Sequence, residues 1–278
     1  MYEPRHIPAS HRLSAWLLSA LFALSLCVQQ AWAAPAERTV IPLGQAVGIK
    51  LFADGVLVVA LADGPTPARA CGLRQGDIIT AMDGAAVGST EQVQDLLADT
   101  AGAPIVLSVR RGADALALTA CARENNGVWQ LGAWIRDSMA GIGTLTYYDP
   151  ATGQYGALGH GITDVDTAQL MPLASGAIME TTVKAVKKGA KGDPGELKGD
   201  FSVQRDVGTV TVNSSGGIFG TVADPDFLSG GTPVPVAAAG QITTGPATIL
   251  ATISGSDVRV CTFLLFSWTK RASVVYYI

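Results

Sequence analysis

Thr66-Pro67-Ala68-Arg69-Ala70-Cys71-Gly72-Leu73-Arg74-Gln75-Gly76-Asp77-Ile78-Ile79 decides the fold of the first half of the chain. Its Pro and Gly residues punctuate a turn-rich entry, and Gly76-Asp77-Ile78-Ile79 runs into a strand ending at Met82-Asp83-Gly84, a tight-turn signature. On the N-terminal side, Val56-Leu57-Val58-Val59-Ala60-Leu61 is an apolar run of strand length, as a buried strand requires. On the C-terminal side, Pro104-Ile105-Val106-Leu107-Ser108-Val109-Arg110 predicts another. Between them Ser89 stands as an N-cap, and the residues after it put Val93, Leu96 and Leu97 on one helical face. Residues 38–123 thus read as a small β module with one main helix.

The 66–79 pattern with its Asp83-Gly84 turn resembles the PDZ domain of the bacterial protease-associated type, a β-sandwich-like fold. In such domains a peptide end adds as a strand beside the sheet, and backbone N–H groups of a glycine-containing loop hold its carboxylate. The resemblance places that role on Leu43, Gly44, Gln45, Ala46, Val47 and Gly48. The alternative is that this loop closes the domain and binds nothing.

Arg123-Glu124-Asn125-Asn126-Gly127 reads as a linker to a second region, residues 128–278. There Trp129 to Ser138 alternates as a strand, Ala140 to Tyr148 follows as a second ending at Asp149-Pro150, and Thr152 to Leu158 returns as a third. His160 follows at a strand end between Gly159 and Gly161, and is the single histidine outside the first dozen residues. Gly132-x-Trp134-Ile135-Arg136-Asp137-Ser138-x-Ala140-Gly141-Ile142-Gly143-Thr144-Leu145-Thr146 and Gly156-Ala157-Leu158-Gly159-His160-Gly161-Ile162-x-Asp164 resemble the stage IV sporulation protein B serine peptidases, peptidase family S55. So do Lys188-Gly189-x-x-Gly192-x-Pro194-Gly195-Glu196-Leu197 and Asn213-x-x-Gly216-x-Ile218-Phe219-Gly220.

That resemblance implies a mainly β protein: a PDZ domain followed by a trypsin-like β-barrel peptidase acting on protein or peptide substrates, its own chain in cis or trans among them. It makes His160 the general base, since a serine hydroxyl needs an imidazole to remove its proton and the imidazole needs an orienting carboxylate. In this family the acid lies far downstream, which leaves Asp164 and Asp166 as turn residues or, alternatively, as an orienting group for His160. The family's nucleophile sits in a Gly-Met-Ser-Gly-Ser-Pro type motif, which does not occur in the chain. The resemblance assigns Ser214 and Ser215 to an element upstream of the nucleophile, the alternative being that one of them replaces it, and it places Ser254-Gly255-Ser256-Asp257 too early as well. Residues 256–278 change composition, with no Gly and no Pro, and the expectation is a truncation or frameshift near residue 256 that leaves the barrel incomplete. A terminal hairpin native to the protein is the alternative. The family role implied is release of an intramembrane protease that activates a sigma factor; a catalytically inactive PDZ-bearing binding or regulatory protein is the competing reading.

Other features bound the compartment. Residues 1–34 combine Arg5 and Arg12, an apolar run from Leu13 to Val28, and Ala31-Trp32-Ala33-Ala34, which is either a cleaved secretory signal or an uncleaved membrane anchor. The body is expected outside the cytoplasm, secreted or membrane-anchored, and between the forespore membranes if the family role holds. Of the 278 residues, 32 are Gly and 14 Pro, which favours short strands and turns. A net charge of −4 without aromatic-basic interleaving gives a nucleic-acid partner no support. Neither a metal nor a cofactor is expected: Cys71, Cys121 and Cys261 show no zinc spacing, and Cys71–Cys121 is a conceivable disulfide. The basic stretch Lys184 to Lys198 lacks phosphate-loop spacing and reads as a solvated hairpin or loop.

Overall fold

The computed structural model describes residues 38–192, 195–228 and 231–265. The N-terminal segment expected to target the chain lies outside them. Among the described residues no helix is long and apolar enough to cross a membrane.

After β1 (Thr39–Pro42), strand β2 (Ala46–Leu61) organises everything that follows. Its sequence is rich in β-branched residues, as a doubly covered strand demands. Val47, Ile49, Leu51, Ala53, Leu57 and Val59 pack into one core, while Val56 and Val58 point into a second. Gly55, at φ +103°, lies where the β2 register shifts, and a Cβ there would meet the Ile79 carbonyl at 2.7 Å. Only glycine fits that position.

The second core belongs to the PDZ-like module. Helix α1 (Pro67–Ala70) opens on Thr66, whose hydroxyl accepts from the Arg69 N–H, and β3 (Ile78–Met82) turns through Asp83-Gly84, both at positive φ, into β4 (Ala85–Ala86). Two positive φ values between paired residues Met82 and Ala85 make the type I′ turn that a Asp-Gly sequence favours. Helix α2 (Thr90–Thr100) starts at Ser89, whose hydroxyl accepts from Gln92 N–H, and buries Val93 and Leu97. Strands β5 (Pro104–Arg111) and β6 (Asp114–Cys121) complete the sheet β2-β3-β5-β6. Buried Asp77 is held by both guanidinium contacts of Arg111 at 2.7 Å and by Arg74 N–H at 2.8 Å. Cys71 and Cys121 are free thiols, so the conceived disulfide is not formed.

The expected linker is instead a hairpin: β7 (Arg123–Asn125) and β8 (Val128–Gln130) pair through Asn126-Gly127, both at positive φ. The two strands expected between Trp129 and Tyr148 merge, from Ala133 on, into β9 (Ala133–Asp149). Then come β10 (Gln154–Ala157), β11 (Ser175–Lys187), β12 (Glu196–Ser214), β13 (Gly217–Val222), β14 (Val234–Pro235), β15 (Gly245–Thr252) and β16 (Val258–Leu265). Antiparallel ladders run β2-β9-β10-β13-β12-β11 and back to β2, a circuit of six strands around the first core. Tyr155, Leu145, Ile178, Val207 and Ile218 fill that core.

This corrects the domain boundary at residue 38. Residues Ala46 to Phe52 pair with β9 and β11 and so belong to the peptidase body, and the module begins only as β2 continues through Val56. Val258–Leu265 matches β15 in an unbroken eight-pair register, so the tail as far as Leu265 is a hairpin. It is tied to β11 by reciprocal Val183–Gly255 hydrogen bonds of 2.9 and 2.8 Å. Lys187 pairs with Glu196, making the basic stretch a hairpin between β11 and β12.

Candidate functional site

Beyond β10 the chain bends through Leu158 (φ +66°) and Gly159 (φ +128°), and Leu158 N–H donates to Thr144 O of β9 at 3.0 Å. The bend lifts His160 out of the sheet into solvent. Its Nδ1 lies 3.0 Å from the Gly161 carbonyl oxygen. A carbonyl only accepts, so this contact favours the Nδ1–H tautomer and leaves the Nε2 lone pair as the base. Among the described residues the ring makes no other hydrogen bond and no ion pair.

The backbone after His160 is clamped from two sides. Asn213, near the end of β12, donates Nδ2 to Ile162 O at 3.0 Å and to Met171 O at 2.9 Å, and its Oδ1 accepts Ile162 N–H at 2.9 Å. Gly161 is pressed against this partner strand: a Cβ there would sit 2.5 Å from the Ser214 carbonyl oxygen and collide with Leu170. Asp164, fully buried, anchors the other side. Its Oδ1 accepts Thr167 N–H at 2.9 Å, the Thr167 hydroxyl at 3.0 Å and Asp166 N–H at 3.1 Å, while Oδ2 pairs with Arg136 of β9. Burial opposes ionisation of Asp164, but those Thr167 bonds, the Arg136 charge and the Asp166 N–H outweigh it and hold its carboxyl below the usual carboxylate range. Asp166 also reaches Arg136, at 3.1 Å, and its carbonyl accepts from Gln75 of the PDZ-like module at 2.8 Å.

Asp164 and Asp166 therefore act as turn and anchor residues, bound to Arg136 rather than to the imidazole. The Ser214 hydroxyl donates to Gly217 O at 3.1 Å, closing the β12–β13 turn. Asn213, the residue that most directly sets the path of the His160 loop, was visible in the sequence only as a polar residue in a family-like run.

Leu43 to Gly48 do not form a peptide-binding loop. Leu43 N–H donates to Thr146 O and Gln45 O accepts Leu145 N–H, both at 2.9 Å. Gly44 is packed on the Leu250 backbone, and Ala46 N–H donates to the buried Thr252 hydroxyl at 3.2 Å. Val47 and Gly48 are paired on both edges, with Gly143 and Ile142 on one side and Glu180 and Met179 on the other. Strand addition needs an open edge, and here none is left. In the module's sheet, β9 takes the outer place instead: Ala133, Trp134, Ile135 and Arg136 pair with Leu61, Ala60, Val58 and Leu57. Between this strand and α2 lies a cavity of about 630 Å³, with Val93 and Leu97 of the helix, Ile79 of β3, and Leu131, Trp134 and Ile135 on its walls. Trp134 is 66% exposed. Asp137 accepts the Thr90 N–H at 2.7 Å and the Thr90 hydroxyl at 3.2 Å, tying the start of α2 to β9. Burial opposes its ionisation, yet the bonds from Thr90 and the Ser138 hydroxyl prevail, so its carboxyl too sits below the usual range.

A six-strand ladder circuit bearing an exposed, backbone-clamped histidine shares two strands with a PDZ-like module. The SpoIVB peptidase S55 family pattern matches residues 127–270 and a PDZ domain pattern matches 59–111. The chain belongs to the SpoIVB peptidase S55 family, whose substrates are proteins or peptides. No curated protein matches it. Among solved structures, the PDZ domain of an SdrC-like protein from Listeria monocytogenes is similar at 25% identity and a TM-score of 0.27, over 30% of this chain and 87% of that one.

Proposed function

We propose that the chain is a PDZ-guided serine endopeptidase working outside the cytoplasm, with His160 as general base. Its role would be regulated proteolysis in sporulation signalling that leads to sigma-factor activation, with membrane association through the N-terminal segment. The observation that carries the catalytic part is the setting of His160: an exposed imidazole, its Nδ1 engaged by a main-chain carbonyl, on a loop fixed by Asn213 and Asp164. A substrate docked beside α2 would be held by the same strand, β9, that carries Arg136 into the His160 loop.

A second reading is favoured by one observation. Among the described residues, neither a serine hydroxyl nor a carboxylate is hydrogen-bonded to the His160 ring. A PDZ-bearing binding or regulatory protein accounts for that arrangement. Hydrolysis of a peptide library by the full chain and its His160→Ala variant separates the two. Turnover abolished by the substitution supports the peptidase; turnover that survives it removes His160 from the chemistry; and no turnover by either favours the binding protein.

A further inference from the structure

From Phe227 to Ser256 the chain carries no Asp, Glu, Lys or Arg, in a protein of which 15% of the residues are charged. The middle of this stretch lies open. Residues 231–238 and 240–244 are exposed, and Val234, Val236 and Ile242 keep 41%, 47% and 36% of their surface accessible. An exposed aliphatic surface with no charge in it marks a place that meets something other than water.

The main chain is already partnered there. Gln241 Oε1 accepts the Ala238 N–H and the Gln241 N–H donates to the Ala238 carbonyl, both at 2.8 Å. The Val236 N–H donates to the Arg38 carbonyl, also at 2.8 Å, and Gly231 is packed so closely on Ile41 that a Cβ would strike its side chain. Backbone groups paired in this way lose little when water is withdrawn.

Two observations identify what covers the surface. The bond to Arg38 fixes its distance along the chain from the N-terminal apolar run. No charge interrupts Leu13 to Ala36, and a membrane span of about 20 residues counted from Leu13 ends at Trp32. Arg38 follows six residues later, at most about 21 Å of extended chain. The second observation is the missing charge, because a protein interface carries a polar and charged rim that sets its orientation.

We propose that the loop from Thr232 to Thr244 is a second membrane contact, in which Val234, Val236 and Ile242 enter the interfacial layer of the bilayer that holds the N-terminal segment. The inference rests on the membrane association through that segment proposed above. The contact is apolar and needs no anionic lipid.

The test inserts the full chain into phosphatidylcholine vesicles whose acyl chains carry a photoreactive diazirine, and maps the cross-linked residues by mass spectrometry. Lipid label is expected both between Leu13 and Trp32 and between Thr232 and Thr244. Val234→Asp/Val236→Asp/Ile242→Asp is expected to lower the second at least about fivefold and to leave the first unchanged. All three side chains are exposed, and a thermal melt coincident with that of the parent verifies that the variant is folded. Adding phosphatidylglycerol is expected to change the loop label by less than about twofold. Label on the N-terminal segment alone overturns the inference and leaves the loop to water or to a second copy of the chain. Loop label that survives the triple substitution, or that appears only with phosphatidylglycerol, overturns it as well. If neither segment is labelled, the membrane association itself fails.

Discussion

Replacing Arg136 by Met isolates the charge that holds the His160 loop. Asp164 is fully buried and its Oδ2 depends on Arg136, while its other oxygen keeps three donors from Thr167 and Asp166. Removing one partner of a buried pair costs about 3–5 kcal/mol because the remaining charge is stranded. Arg136 keeps 31% side-chain exposure, so water replaces part of what is lost and the low end, about 3 kcal/mol, is expected. For a chain of this size that lowers Tm by about 6–12 °C. The pH dependence is the sharper readout. With its carboxyl held below the unfolded value of about 3.9, Asp164 contributes stability that is fully present above that value and lost as pH falls through the lower, folded one. The gap between the parent and Arg136→Met is therefore widest at neutral pH and closes in acid, where Asp164 is neutral in both. Urea melts at a series of pH values measure it, with Arg136→Met/Asp164→Asn as the variant expected to recover part of the loss. A gap of constant size from pH 7 to pH 3 would mean that Arg136 acts through packing of its stem, and would refute the electrostatic argument.

Two further outcomes follow from the same loop. Asn213→Ala strands the Ile162 N–H and two carbonyls, each worth about 1–3 kcal/mol when buried without a partner, so the Ile162 amide should exchange about ten- to a hundredfold faster; unchanged exchange would show that Asn213 does not hold the loop. Gly161→Ala presses a methyl group into the Ser214 carbonyl and Leu170, and an overpacking loss of about 1–3 kcal/mol should appear in thermal melts, whereas a neutral result would show that the loop yields freely.

Much of this architecture was legible in local signals. The Asp83-Gly84 turn, the Ser89 cap and the strand before His160 each depend on neighbours a few residues away, and each is where the pattern placed it. Asn126-Gly127 carried the same hairpin signal as Asp83-Gly84, and reading it as a linker missed the Arg123–Asn125 strand that pairs with Val128–Gln130. Leu43 to Gly48 failed for a different reason. Whether an apolar strand offers an open edge is settled by what pairs with it, and the partners here, Ile142 to Thr146 and Met179 to Glu180, lie about a hundred residues on. The run Val56 to Val59 does hint at the outcome, since burial on both faces requires a core on each side. The Arg136–Asp164 pair joins residues 28 apart, with a strand and a loop between them, and no local rule connects them.

Phe52 and Ser138 are direct partners across the antiparallel ladder of β2 and β9. For the peptidase body, then, the whole stretch from Ala53 to Asp137 occupies the place of a hairpin loop whose tip has grown into a folded module. Lengthening a loop costs little, about 0.6 kcal/mol for each doubling, so the body tolerates such an insertion. A module strung on a flexible tether could swing while its host stayed still. This one leaves and re-enters through neighbouring residues of the body's own hairpin, so tilting it means twisting that hairpin, and the strand that walls the peptide groove is the one that continues into the body.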